Sequence, residues 1–362
     1  MSAVQDIKAI GIVNSLKDWP EVQQFTYKPH KGRPQDVDIK ILACGICGSD
    51  LHASKGKWGD LPLPMAFGHE IIGVIVAIGE GVDSSKYKIG DRVGVGPECD
   101  SCGKCWRCEH DHENCCRDIK NLYLGSYEDG TTVQGGYASH IRVNSKFVIH
   151  IPEKLETEYA APLMCGGITG FRPLISYGVK KGTRVGIYGL GGIGHMTLMF
   201  AKALGAEVTV ISRGTSKKEL AKRLGADHYI ATSEEGFEAK NYDTLDLIVS
   251  TGSDFEPESL AKVISMLRPD GRLTFITLPP NGVKLELIPV FYLTNCVHIG
   301  GSAIGSPKEI EYMLQVAADH DIKPMIETFD ISEDNVKKAW MKVDSGDIRF
   351  RAVLTGYDKF FK

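Results

Sequence analysis

Two cysteines and one histidine, set far apart, most restrict how this chain can fold. Cys47 stands in Ala43-Cys44-Gly45-Ile46-Cys47-Gly48-Ser49-Asp50-Leu51-His52, after a strand-like run at 37–42 with apolar residues on alternate positions. His69 follows in Gly68-His69-Glu70, and Cys165 comes much later in Leu163-Met164-Cys165-Gly166-Gly167. Two thiolates and one imidazole with an open fourth position are the ligand set of a catalytic zinc ion. A fold that uses this set must bring three distant segments to one point.

A chain of 362 residues is long for one core, so two domains are expected. With 43% apolar and 24% charged residues the composition is that of a globular protein, and a net charge of -4 gives no hint of a nucleic-acid surface. Met1-Ser2-Ala3-Val4-Gln5-Asp6 lacks the basic start and apolar run of a signal peptide, and no apolar stretch reaches the length of a membrane span. The expectation is a cytoplasmic protein without a membrane or nucleic-acid partner. In that compartment its ten cysteines read as metal ligands rather than disulfides.

Residues 1–157 read as a mostly β domain, with strands at 6–14, 36–42, 71–78 and 91–96 and turns at 79–81 and 88–91. From residue 158 to 300 the rhythm becomes strand, glycine turn, helix. Strands fall at 183–188, 207–211, 227–230, 245–250 and 272–277, and helices at 195–204 and 216–224. Alternating units of this kind build a doubly wound parallel sheet, so the fold class is α/β. In 301–362 a helix places Ile310, Met313, Leu314 and Ala317 on one face, and the tail carries a short helix and a strand at 349–354.

Six cysteines crowd into 99–116. Cys102, Cys105 and Cys108 form an even trio, and by spacing the fourth ligand is Cys99, Cys115 or Cys116. Four thiolates close the tetrahedron and exclude water, which makes such a zinc site structural. His110 and His112 in the same loop read as solvated, and His195 as a residue facing the sheet.

Gly189-Leu190-Gly191-Gly192-Ile193-Gly194 follows a strand and opens a helix, the context that makes GxGxxG a dinucleotide site. The second strand ends without the acid that would hold a ribose 2′-hydroxyl. Instead Ser212-Arg213-Gly214-Thr215-Ser216-Lys217-Lys218 offers hydroxyls and cations for a 2′-phosphate, so the expected cofactor is NADP.

Taken together, Gly45-Ile46-Cys47-Gly48-Ser49-Asp50-x-His52, Gly68-His69-Glu70, the cysteine cluster, Cys165, GLGGIG and Ser212-Arg213 resemble the zinc-dependent medium-chain alcohol dehydrogenases. The resemblance covers nearly the whole chain and is strongest to the NADP-preferring cinnamyl alcohol dehydrogenase branch, including its yeast members. It implies a GroES-like catalytic domain made from both chain ends, an inserted Rossmann domain and a homodimer. It selects Cys102, Cys105, Cys108 and Cys116 for a structural zinc, and leaves Cys44 and Cys296 as buried apolar residues. It assigns Cys47, His69 and Cys165 to the catalytic zinc, with Glu70 as an exchangeable fourth ligand.

The resemblance further implies that Ser49 hydrogen-bonds the reacting oxygen and that His52 ends a proton relay. Cofactor contacts are expected from Ser49, Thr169, the turn Gly189, Leu190, Gly191, Gly192, Ile193 and Gly194, then Ser212, Arg213, Lys217, Thr251, Ser302, Ala303 and Ile304. Trp58 is expected to wall the substrate pocket. The activity implied is hydride transfer between NADPH and aromatic, cinnamaldehyde-like or medium-chain aliphatic aldehydes. The alternatives are a polyol-type zinc dehydrogenase and a non-catalytic NADPH-binding protein. A zinc-free quinone reductase would lack Cys47, His69 and the cysteine cluster.

Overall fold

The strand Asp36–Ile46 runs past its expected end and lies in the interior of its sheet. Val37, Ile39 and Ile41 are fully buried, which removes apolar surface worth about 2 kcal/mol each. Asp36 and Asp38 are also buried, and each meets a cation. Arg33 and His30 hold Asp36, and Arg142 grips Asp38 through Nε at 2.6 Å and Nη2 at 2.9 Å. Buried carboxylates persist only when paired in this way.

The computed structural model describes residues 4–252, 256–278, 284–286 and 289–362, so Met1, Ser2 and Ala3 of the N-terminal stretch lie outside it. The chain divides into two units, Met1–Cys165 with Gly305–Lys362, and Gly166–Ile304.

In the first unit a seven-stranded sheet is centred on Asp36–Ile46. That strand pairs antiparallel with Glu70–Ile78, His140–Asn144 and Arg351–Thr355. The register sets Gly45 opposite Glu70, so Cys47, just past one strand, and His69, just before the other, arrive together. After Ile46 the chain turns into the helix Gly48–Ser54, with Cys47 as its N-cap. The strand expected at 6–14 is shorter, Ile7–Gly11, and the one at 349–354 is Arg351–Thr355. The tail helix is longer than expected, Glu333–Ser345, because Ser332 caps its start and Val336, Ala339 and Trp340 bury one face. The strand Ile326–Asp330, parallel to Arg351–Thr355, has a half-buried pattern that the sequence did not display as a strand.

Among its described residues the second unit holds a sheet of six parallel strands. In space they follow the order His228–Ala231, Glu207–Ser212, Arg184–Tyr188, Leu245–Ser250, Leu267–Phe275, His298–Gly301. Numbered along the chain from Arg184–Tyr188, this is the 3-2-1-4-5-6 arrangement of a dinucleotide-binding sheet. Cys296 departs from expectation. It is exposed, because it follows the short helix Pro289–Asn295 at a turn with φ 51° rather than lying in the sheet.

Candidate active site

Cys47, His69, Glu70 and Cys165 converge, each offering a ligand atom within 4.8 Å of the others, and all four are buried. His69 Nε2 lies 3.2 Å from Cys165 Sγ. A hydrogen bond from Cys165 leads the effects that hold the Cys47 thiol well below its usual value; His69 and Arg351 add positive potential against burial. That same bond, with burial, pushes Cys165 well above its usual value. Both sulfurs bind a metal as thiolates, so zinc binding here would displace a proton from the pair. Two sulfurs, a ring nitrogen and a carboxylate at this spacing fit zinc.

The backbone that places His69 needs a glycine before it. Gly68 has φ 91°, and a Cβ there would run into the Tyr137 ring and the Cys44 sulfur. Asp50 then fixes the ring. Its fully buried carboxylate accepts from Cys47 N at 2.8 Å, Gly68 N at 3.1 Å and Tyr137 Oη at 3.3 Å, and faces His69 Nδ1 at 3.1 Å. Tyr123 Oη also meets Nδ1. With Nδ1 occupied, Nε2 is the nitrogen left for a metal. Asp50 appears in the sequence motif without a role, and nothing near Tyr123 marks it.

Glu70 pairs with Arg351, which is 5% exposed and comes from the far end of the chain. Burial pushes the Glu70 carboxyl up to about 7, against the pull of Arg351. Removing one partner of a buried ion pair costs about 3–5 kcal/mol. Arg351→Leu should therefore lower thermal stability, and more so at alkaline pH. In the variant the folded pKa of Glu70 lies further above its unfolded value, so stability is kept below the unfolded pKa and lost as pH rises through the folded one. Melting curves at pH 6 and pH 8.5 check this; a loss independent of pH would contradict it. Glu98 is another buried carboxyl nearby, pushed by burial to about 8.

Ser49 is half-buried in the first turn of Gly48–Ser54. His52 lies on the same helix, its ring stacked on Trp58 with centroids 5.6 Å apart. His52 Nδ1 is buried and makes no hydrogen bond. Burial, followed by Lys57, holds its pKa below the usual 6.5, so the ring is neutral at neutral pH.

The other cysteine cluster gathers Cys102, Cys105, Cys108 and Cys116, with ligand atoms within 4.8 Å of one another. Cys105 Sγ is 3.6 Å from Cys108 Sγ, and Cys116 Sγ is 3.6 Å from Cys102 Sγ. Cys99 is turned away, buried beside Tyr127 Oη at 3.6 Å, and Cys115 is exposed. Four sulfurs so placed fit a closed zinc tetrahedron. His110 and His112 stack on Trp106 rather than joining the sulfurs.

In the second unit the turn 189–194 links Arg184–Tyr188 to the helix Gly194–Ala203, with Gly189 at φ 101°. Thr251 Oγ1 donates to Gly189 O at 2.7 Å, and Lys217 Nζ to Leu190 O at 2.7 Å. Ser212 is half-buried and Arg213 exposed; their carbonyls accept from Thr232 N and Ser233 N. Thr169 Oγ1 is buried without a partner, Ser302 Oγ accepts from Arg172 Nη1 at 3.3 Å, and Ala303 and Ile304 follow in the chain. A sheet of this order, a glycine turn at a helix start and an unpartnered buried hydroxyl fit a dinucleotide. Lys217 lies against the pyrophosphate turn, a contact that the reading of its segment alone does not give.

Comparison with known proteins bears on both sites. Residues 33–153 match the family described as alcohol dehydrogenase GroES-like domain, and residues 192–319 match zinc-binding dehydrogenase. The chain is 42% identical to NADP-dependent alcohol dehydrogenase 6 of Saccharomyces cerevisiae, over 100% of its own length and 99% of that protein's. A cinnamyl alcohol dehydrogenase structure from Sorghum bicolor superposes with a TM-score of 0.90 at 33% identity, covering 97% of this chain and 98% of that one. A CAD structure from Helicobacter pylori complexed with NADP(H) gives a TM-score of 0.86 at 32% identity, with the same coverage.

Proposed function

The chain belongs to the zinc-binding alcohol dehydrogenases with a GroES-like domain, and from that premise we propose that Cys47, His69 and Cys165 are the seat of its chemistry. It is a zinc-dependent NADP(H) alcohol dehydrogenase of the cinnamyl alcohol dehydrogenase-like branch. The reading of the site rests on one observation, the convergence of two buried sulfurs, one oriented imidazole and one buried carboxylate.

When bound, zinc supplies Lewis-acid polarisation of the carbonyl and NADPH supplies the hydride. The protein's own groups do the rest. Asp50 and Tyr123 hold His69 by Nδ1 and so fix the direction of Nε2. Arg351 holds Glu70 in reserve as a ligand that can exchange. Ser49 donates a hydrogen bond to the oxygen that gains charge. His52, neutral and with Nδ1 unpartnered, takes the proton at that nitrogen in alcohol oxidation and returns a proton in aldehyde reduction. The four candidate ligands are buried, which strengthens the interactions among them.

Arg213 and Ser212 receive the 2′-phosphate in this reading. Arg213→Asp should weaken NADPH binding by about 10- to 100-fold, the worth of hydrogen bonds to a charged group, and NADH far less. Equal weakening of both nucleotides, measured by titration, would remove the argument.

For the substrate we propose aromatic, cinnamaldehyde-like aldehydes or medium-chain aliphatic ones, with Trp58 as a pocket wall. The names of the sorghum and Helicobacter neighbours and the stacked pair His52–Trp58 favour this over a polyol. A panel of cinnamaldehyde, aliphatic aldehydes and polyols, assayed with both nucleotides, tests it; turnover of polyols alone would reverse the choice. We further propose a cytoplasmic homodimer. Its support is the edge strand His298–Gly301 and the exposed Val290 and Leu293 beside it in the chain, 55% and 77% accessible. Sedimentation equilibrium giving a monomer would refute the dimer.

A further inference from the structure

Glycine gives the turn 189–194 little intrinsic stiffness, yet a phosphate site needs its peptides held in place. It contains four glycines in six positions, and a Cβ added at Gly191 would meet nothing within 4 Å. Packing therefore does not hold the middle of the turn. Its hydrogen bonds do. Three successive carbonyls are each tied by a side chain from a different place in the chain: Gly189 O by Thr251 Oγ1 at 2.7 Å, Leu190 O by Lys217 Nζ at 2.7 Å, and Gly191 O by His195 Nδ1 at 3.0 Å. In a trans peptide the N–H points away from its own carbonyl, so tying these carbonyls also fixes where the N–H groups of Leu190, Gly191 and Gly192 point, and such groups are the donors a pyrophosphate uses.

His195 differs from the other two. It is fully buried, in the first turn of Gly194–Ala203, and a buried imidazole is neither a surface group nor a phosphate ligand by reach alone. A carbonyl oxygen only accepts, so Nδ1 carries the proton and the tautomer is fixed. His195 N also donates to Gly191 O at 3.1 Å, so this one carbonyl is clamped twice by one residue. The expectation that His195 merely faces the sheet leaves out this bond.

We propose that His195 is a positioning residue for the dinucleotide. It holds the Gly191 peptide in the phosphate-binding orientation before the cofactor arrives, so binding does not pay the entropy of ordering a glycine-rich loop. Lys217 ties the neighbouring carbonyl of the same turn but also belongs to the segment that follows the second strand, so its loss should weaken both nucleotides and NADPH more than NADH. His195 acts on the pyrophosphate turn, which both nucleotides share, so its loss should not discriminate.

The inference rests on the dinucleotide reading of 189–194, and the wild-type protein separates the two. Wild type that fails to bind NADPH would end that reading; wild type that binds leaves His195 to be tested. Dissociation constants for NADPH and NADH are measured by quenching of protein fluorescence, for wild type, His195→Leu and His195→Asn. Loss of one buried hydrogen bond predicts that His195→Leu weakens both nucleotides by the same factor, about 3- to 10-fold. KM for NADPH should rise by that factor with kcat unchanged. His195→Asn, whose amide can donate from nearly the position of Nδ1, should restore wild-type binding, and it keeps the test alive if the leucine variant does not fold. Unchanged dissociation constants in His195→Leu, a loss confined to NADPH, or an asparagine variant as weak as a well-folded leucine variant would each overturn the proposal.

Discussion

Cys47→Ser is expected to lose turnover by about a thousandfold or more while NADPH binding stays near wild type. Lewis-acid polarisation by zinc is worth several kcal/mol, and each 1.4 kcal/mol is a factor of ten in rate. A serine hydroxyl is a poor substitute for the thiolate, whose negative charge is favoured here by Cys165, His69 and Arg351. The nucleotide turn lies in the other unit of the chain, at 189–194, and should not feel the change. Zinc content should fall by one ion per chain, because the cluster of Cys102, Cys105, Cys108 and Cys116 is untouched. Aldehyde reduction assayed beside metal analysis checks both parts. Activity near wild type would refute the assignment.

Cys116→Ser should act on stability rather than on the chemical step. The segment around it contains only a four-residue helix, Trp106–Glu109, and a three-residue turn, Glu113–Cys115. Neither is long enough to be stable alone, so the fold of the loop depends on the metal. Structural zinc sites are worth roughly 10–16 kcal/mol in small domains. Losing even several kcal/mol of that would lower Tm on the order of 10 °C. Cys115→Ser is the matching control, since its sulfur is exposed and outside the tetrahedron; it should melt like wild type. Equal loss in both variants would contradict the ligand choice, and no loss in Cys116→Ser would contradict the site.

Much of the chemistry could be read from the sequence because the informative residues sit in local patterns. The cysteine trio repeats at fixed spacing within one loop, and the glycine turn lies between a strand and a helix that announce themselves by periodicity. The long-range part was harder to read. No local signal shows that Gly45 pairs with Glu70, yet that register is what brings Cys47 to His69. Arg351 sits in an unremarkable Arg349-Phe350-Arg351 run, and only the sheet makes it the partner of Glu70. Asp50 lay within a quoted motif, but its buried interactions with Cys47, Gly68, His69 and Tyr137 depend on tertiary folding. Cys296 misled for a simple reason: cysteine is usually buried, and the turn that exposes it has no sequence mark.

The most direct test of the zinc assignment is X-ray absorption at the zinc edge on purified, active enzyme, with metal analysis of the same sample. The account predicts two zinc ions per chain, one bound by four sulfurs and the other by two sulfurs with nitrogen and oxygen completing its shell. Active enzyme without zinc, or with only the four-sulfur ion, would contradict it.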